Sequence, residues 1–340
     1  MWILGGYESD FARNFDREGL DFSDLTAEVI DRTLEAAGLD ATDIGVVHVA
    51  NAFGELFAHQ GHLGAMPATL NDGLWNTPAT RHEAACASGS VATLAAIADL
   101  RSGAYRTALV AGIELEKTVP GNTATTILGA AAWTGHEGQG ATFMWPHMFE
   151  AVAAEYDLRY GLDEKHLRAI AALNFANARA NPNAQTRSWA VPEPLTDDDA
   201  DNPVVEGRLR RLDCSQITDG AAGVVLVSDD WLAEHPGVRP LGRIDGAIDH
   251  IGLTGPGESW KAVENGEIEI GGRLPINPSG GLIGGGHPVG ASGVRMLLDA
   301  ARQVSGTAGD YQVEGAKTFG TLNFGGSTAT TVSFVIGSPQ

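Results

Sequence analysis

INPSGGLIGGGHPVGASG, residues 276–293, packs seven glycines and two prolines into eighteen residues. That composition is costly in chain entropy unless the backbone must take positive φ or pass close to something. His287 stands directly before Pro288, a residue favoured at the first position of a helix, and helical spacing continues to Val304. The turn would hold this imidazole where it can act as a base or a hydrogen-bond donor. The competing reading is a phosphate-cradling loop. It is disfavoured because no Lys followed by Ser or Thr stands in P-loop order and GxGxxG is absent.

A similar arrangement occurs earlier. In HEAACASGS, 82–90, Cys86 lies just ahead of a run with Leu94, Ile97 and Leu100 on one helical stripe and Gly103 at its end. The weak likeness of ACASGS to HPVGASG, each leading into a helix, points to two related halves, each with a reactive side chain where loop meets helix. A helix amino terminus favours thiolate, the nucleophilic form. A buried, inert thiol is the alternative for Cys86 taken alone. The third stretch, LNFGGSTAT at 322–330, reads either as a tight hairpin or as a glycine amide completing an oxyanion hole, with Asn323 facing the same cavity.

Strand and helix signals alternate outward from these motifs. WILGGYES, IGVVHVANAF and TALVAGIEL read as strands, and SDLTAEVIDRTLEAAGLD as a helix closed by glycine. This alternation predicts a mainly parallel α/β sheet. Residues 119–212 break the pattern with irregular Pro, Asn, Trp and His and one helix pair around 149–180, as an excursion able to cover a ligand would. Sheet pattern returns at GAAGVVLVSDDWLAEH, and RPLGRIDGAIDH, AKTFGTLNF and TATTVSFVIG supply the last strands.

Composition narrows the function. A net charge of −21 argues against nucleic-acid binding, which needs clustered cations. Two cysteines, Cys86 and Cys214, exclude a disulfide framework and a four-cysteine zinc site, so no metal is expected. No apolar run is long enough to span a membrane, and the amino terminus has no signal-peptide pattern, so a cytoplasmic protein is expected.

Together EAACASGS, HM at 147–148, CSQITDGAAGVVLVS, NPSGGLIGGGHPVGASG and NFGGSTAT resemble the thiolase superfamily, within it the sterol-carrier-protein-type thiolases and acetyl-CoA acetyltransferase-like proteins. The resemblance implies a five-layered αβαβα fold of two pseudo-symmetric halves. It divides the chain into an N-terminal half (1–118 plus 213–235), an inserted loop domain (119–212) and a C-terminal half (236–340). Cys86 matches the acyl-accepting nucleophile, His287 the histidine that activates it, and Gly325 the glycine whose amide joins that of Cys86 on the thioester oxygen. His147 and Met148 match a pair near the acyl pocket, and Cys214 a structural position. Acyl-CoA is then the substrate, with no covalently bound cofactor, and a homodimer or higher homo-oligomer is implied.

Two departures stand out. Asn323 occupies the place of a second cysteine that moves the proton of the carbon acid, and an amide does no acid–base work at neutral pH. The HDCF-like motif that takes over in sterol-carrier-type enzymes is absent. IDHIGLT runs straight into GPGESW, where the family has a helix and a strand, so a segment is expected to be missing near 254–255. Two alternatives follow: a thiolase-like retro-aldol lyase acting on steroid-type CoA esters, or a CoA-ester-binding subunit, each working with a small OB-fold, zinc-ribbon partner.

Overall fold

The computed structural model describes residues 1–246 and 254–339, and the statements below concern these residues. Ten strands occur: β1 (Trp2–Glu8), β2 (Val46–Ala50), β3 (Ala79–His82), β4 (Thr107–Glu114), β5 (Val204–Glu206), β6 (Leu209–Arg210), β7 (Gly220–Val227), β8 (Gly242–Gly246), β9 (Thr318–Gly325) and β10 (Thr330–Gly337). The five helices of fourteen residues or more are α1 (Phe22–Ala37), α2 (Ser88–Arg101), α3 (Met144–Tyr160), α4 (Glu164–Ala178) and α5 (Ser292–Ser305). None is long and apolar enough to cross a membrane.

The chain forms two compact units: Met1–Val119, Thr218–Asp249 and Pro288–Gln340 make the first, and Pro120–Ile217 with His250–His287 the second. Residues 254–287 thus cluster with the excursion rather than with the rest of the C-terminal half. The first unit holds one eight-stranded sheet in the order β3-β2-β4-β7-β1-β8-β10-β9. α1 starts at an Asp21 capping box and ends at left-handed Gly38, burying Leu25, Val29, Ile30 and Leu34 against one face. α2 and α5 bury Ala92, Ala96, Ile97, Val294, Leu297 and Leu298 on the other. α2 touches β3 and β2 at one end of the sheet and β10 near the other, so the sheet curls round it.

Two sequence expectations need correction. Within the eight-stranded sheet only β2–β3 and β2–β4 pair in parallel; its other five pairings are antiparallel. Runs such as TALVAGIEL are apolar throughout because helices cover both faces, and that covering does not depend on strand direction. Leu94 is 41% exposed and lies off the buried stripe, which Ala92 and Ala96 form instead. The stripe uses small residues because α2 packs close to its neighbours.

In the second unit, Arg168 on α4 is buried and pairs with Asp197 at 2.7 Å and with Asp213. β5 and β6 form a two-stranded piece of their own. The junction at Thr254–Gly255 where a segment is expected to be missing borders residues 247–253, which lie outside the described residues.

Candidate active site

Cys86 is presented by a single 3-10 turn, Ala85–Ala87, that runs into α2. Ala85 has φ +49°, in the left-handed region, where a side chain clashes with its own backbone at about 1–2 kcal/mol. The turn is held there by its neighbours. Glu83 accepts from the Ala85 N–H at 2.6 Å, while Ser88 Oγ accepts from the Ala84 N–H at 2.9 Å and donates to the Ala85 carbonyl at 2.6 Å. Strained backbone of this kind clusters at functional sites, and an alanine gives no sequence signal for it.

The end of β9 lies against this turn. A Cβ on Gly325 would stand 2.3 Å from the Ala84 carbonyl oxygen, so only glycine fits. The β9–β10 pairing closes at Gly325–Thr330, so the hairpin reading of LNFGGSTAT holds. The N–H that faces the Cys86 sulfur comes from Gly326, one residue beyond the glycine singled out in the sequence. Asn323 is buried with both ends of its amide engaged. Its oxygen accepts from Ser90 Oγ at 2.8 Å and its nitrogen donates to the Cys86 carbonyl at 3.0 Å. In this structure Asn323 braces the cysteine turn.

Cys86 and Cys214 are free thiols, each retaining some solvent contact. Burial pushes the Cys86 thiol up to about 12, and the Glu116 and Glu114 carboxylates add to the effect; the N–H groups of Cys86 itself and Gly326 pull the other way. The helix-start effect expected to favour thiolate is therefore outweighed, and the resting sulfur is a neutral thiol. Burial likewise pushes Cys214 up to about 11.

The carboxylates come from GIELEK, 112–117, where the sequence alone shows a strand end. Glu114, fully buried, accepts from the N–H groups of Ala52 and Gly290 at 2.9 Å and Phe53 at 3.0 Å, and from the Asn51 amide at 2.8 Å. Burial still pushes it up to about 7. Glu116 accepts from Val289 N–H at 2.9 Å and Thr218 N–H at 3.2 Å, and burial together with Glu114 raises it well above the usual carboxylate range. Glu114 and Glu116 thus fix Val289 and Gly290, the residues that lead from Pro288 into α5. Periodicity cannot reveal such a pair, since alternate positions on a strand normally read as one solvated face.

α2 and α5 meet backbone to backbone close to these turns. A Cβ on Gly89 would lie 2.7 Å from Val294 N, and one on Gly293 would lie 2.4 Å from Ser90 N. The helix after HPVGASG begins at Ser292, with residues 288–291 forming the turn ahead of it.

In the second unit the glycine-rich loop is fastened to α4 by a row of asparagines. Asn174 accepts from Asn277 Nδ2 at 3.2 Å, Asn177 donates to the Asn277 carbonyl at 3.0 Å, and Asn181 donates to the Ser279 carbonyl at 3.1 Å. Gly280 and Gly286 have φ near +105°, which explains part of the glycine content. His287, half-buried, ends this loop. His147 and half-buried Met148 lie on α3, where His147 Nδ1 is 3.1 Å from Glu206. The structure therefore brings together Cys86, Asn323 and Gly325 within the first unit, while His147, Met148 and His287 belong to the second. Among the described residues no group of three or more His, Cys, Asp or Glu could hold a metal ion.

The chain matches known proteins over most of its length. Residues 3–230 match the family described as "Thiolase, N-terminal domain", and residues 246–338 match "Thiolase C-terminal domain-like". The acetyl-CoA acetyltransferase of Methanothermobacter thermautotrophicus is 30% identical over 382 aligned positions, covering 96% of this chain and 97% of the relative. Since 382 positions are set against 340 residues, at least 42 positions of that alignment have no counterpart here. Human sterol carrier protein 2 is 24% identical, covering 100% of this chain and 72% of the relative. Among solved structures, the "Ltp2-ChsH2(DUF35) aldolase" superposes with TM-score 0.75 at 18% identity, covering 99% of this chain and 97% of that one. The acetyl-CoA acetyltransferase of Syntrophomonas wolfei gives 0.68 at 18% identity, covering 99% and 98%.

Proposed function

Because this chain belongs to the thiolase family and has its fold, we propose that it transfers acyl groups between coenzyme A thioesters through Cys86. In this reading His287 takes the thiol proton and the sulfur attacks the keto carbon of a 3-ketoacyl-CoA. The amides of Cys86, Gly325 and Gly326 receive the developing oxyanion, at about 3–4 kcal/mol per donor in comparable sites. The C–C bond breaks, the departing enolate takes up a proton, and free CoA then removes the acyl group from sulfur. The reverse direction joins two acyl-CoAs. CoA esters are substrates here, and the chemistry asks for no bound cofactor.

The observation that carries the proposal is the strained Ala85 turn, which offers a partly exposed thiol to the Gly326 N–H. A neutral resting thiol is compatible with it, since the proton leaves only when base and substrate are both in place. Incubation with acetyl-CoA followed by intact-mass measurement tests it. One acetyl group is expected on the wild type and none on Cys86→Ala; labelling that persists in the variant rejects Cys86.

A second reading is a retro-aldol lyase. It draws on the engagement of both ends of Asn323, which leaves the carbon-acid proton without an assigned acceptor. The aldolase neighbour is, by its title, a complex with a DUF35 component, so such a lyase would work with a partner of that kind. No acetyl adduct, with turnover appearing only when a small partner is added, would favour it.

We also infer that the positions without a counterpart fall near Thr254–Gly255. Peptide mapping across IDHIGLT and GPGESW tests the junction: a peptide with residues inserted between Thr254 and Gly255 would show that a segment belongs there, and one running straight from Thr254 into Gly255 would rule that out.

A further inference from the structure

Glu114, the last residue of β4, is fully buried, and both oxygens of its carboxylate are fully used. Oε1 accepts from the Phe53 N–H at 3.0 Å and the Asn51 side-chain amide at 2.8 Å. Oε2 accepts from the N–H groups of Ala52 and Gly290, both at 2.9 Å. Two oxygens with two lone pairs each thus meet four donors. Three of the donors belong to the segment that follows β2, and the fourth belongs to the turn ahead of α5. The carboxylate is the link between them.

Both sides of the link are held firmly. Asn51 Nδ2 also donates to the Ile113 carbonyl at 2.9 Å, and its Oδ1 accepts from the Gly54 N–H at 2.8 Å and from Arg81 Nη2 at 2.9 Å. In the turn, the Pro288 carbonyl accepts from the N–H groups of Ala291 and Ser292 and from the Ser292 hydroxyl, each at 3.0 Å. Glu116 takes the N–H of Val289. Backbone lies on backbone around Gly290: a Cβ there would stand 2.8 Å from Asn51 Cα, and one on Gly112 would stand 2.5 Å from the Gly290 carbonyl oxygen. So close a seat admits one placement of the turn.

A buried carboxylate is an unfavourable way to join two loops, since burial opposes its charged form. What it secures here is the seat of the turn whose first residue, Pro288, is bonded to His287. We propose that Glu114 is a positioning residue for His287: it holds the Pro288–Gly290 turn to the end of β2, and the imidazole on the preceding residue owes its reach to that seat. The proposal rests on the reading of His287 as proton acceptor for Cys86 and adds to it the group that aims the acceptor. Glu114 itself takes no proton in this role. Misplacing a reacting group by about 1 Å can lower a rate about a hundredfold, so a loosened turn would be felt in the proton transfer. Glutamine separates shape from acceptor count. Its amide has nearly the same volume but one oxygen, and its NH2 would face two of the four donors. Either the Phe53 and Asn51 pair or the Ala52 and Gly290 pair then loses its acceptor.

The test is a double-mutant cycle on the rate of Cys86 acetylation by acetyl-CoA, followed by peptide mass so that Cys214 is scored separately. Wild type, Glu114→Gln, His287→Ala and the double variant are compared. His287→Ala is expected to react about a hundredfold more slowly, the loss of a general base. Glu114→Gln should be slower by about tenfold or more in the wild-type background and by nothing further when His287 is already absent. Hydrogen exchange of the peptide spanning 288–292 should be faster in Glu114→Gln. An equal loss in both backgrounds, no loss in either, or unchanged exchange would overturn the positioning role. His287→Ala as fast as the wild type would reject His287 as acceptor and the proposal with it, whereas a slow His287→Ala with additive losses rejects the proposal alone. Absence of acetylation in the wild type rejects the transfer reading; the same four proteins are then compared by iodoacetamide alkylation of Cys86, with the same outcomes deciding. If Glu114→Gln does not fold, Asn51→Ala, which removes one donor of the four, replaces it in the cycle, with a loss of about threefold expected only where His287 is present.

Discussion

Asn323 spans 237 positions of sequence to donate its side-chain amide to the Cys86 carbonyl at 3.0 Å. The contact joins an inward-facing residue of β9 to the turn that carries the thiol. Ser90, in the first turn of α2, completes the bracket from the other side of that amide.

Replacing Asn323 by leucine keeps its bulk and removes both hydrogen bonds. The Ser90 hydroxyl and the Cys86 carbonyl would be left unpaired in a buried place, a cost of about 1–3 kcal/mol. A lower urea midpoint with an unchanged slope is expected. A midpoint equal to that of the wild type would show that the bracket contributes nothing to stability.

The helix crossing makes a sharper comparison. Gly89→Ala drives a methyl to 2.7 Å from the Val294 nitrogen, whereas at Gly285 the nearest atom to an added Cβ is 3.6 Å away. Backbone cannot yield as a side chain can, so Gly89→Ala should lose about 1–3 kcal/mol. Gly285→Ala should lose clearly less. Equal losses at the two sites would mean that α2 and α5 separate at little cost.

His287→Ala should raise the pH needed for alkylation of Cys86, since the variant lacks the proposed proton acceptor. Its circular dichroism should match the wild type. A profile identical to the wild type contradicts the pairing of the two residues.

Stability should also report the buried carboxylates. Glu114 sits at about 7 in the folded protein against 4.5 in the unfolded chain. Its contribution is complete below pH 4.5 and is lost as pH rises through 7, because the unfolded chain releases its proton first. His48 works in the opposite sense: burial and His82 lower it to about 4, so its contribution is present above pH 6.5 and lost on acidification. Between pH 6.5 and 8 the unfolded histidine sheds its remaining protons and His48 regains about 0.4 kcal/mol, against about 1 kcal/mol lost through Glu114 and a further loss through Glu116, whose folded value is also raised. Urea midpoints across that interval measure it, and a rising midpoint would contradict the assignment.

Much of this arrangement is legible in the sequence wherever a local rule governs it. The Asp21 cap, the Gly38 stop and the apolar strand runs mark their elements because propensity and burial agree there. Cys86, Asn323 and Gly325 are named by their motifs, and the fold brings those three together. What stayed hidden depends on contacts between distant segments. Nothing in an alanine announces the positive φ of Ala85, and Glu116 looks like any acidic residue until Val289 and Thr218 close over it. Strand direction is hidden for a related reason: an apolar run reports covered faces and says nothing of its neighbour's heading.

The first strand has its own consequence for biosynthesis. β1 lies between β7 and β8, so Trp2–Glu8 find their neighbours only after residues 220–246 have been made. Pairing across such a span is slow and leaves apolar edges open in the meantime. The nascent chain must therefore carry Trp2–Glu8 unpaired until β7 and β8 have been made, and that is the interval in which a chaperone would be needed.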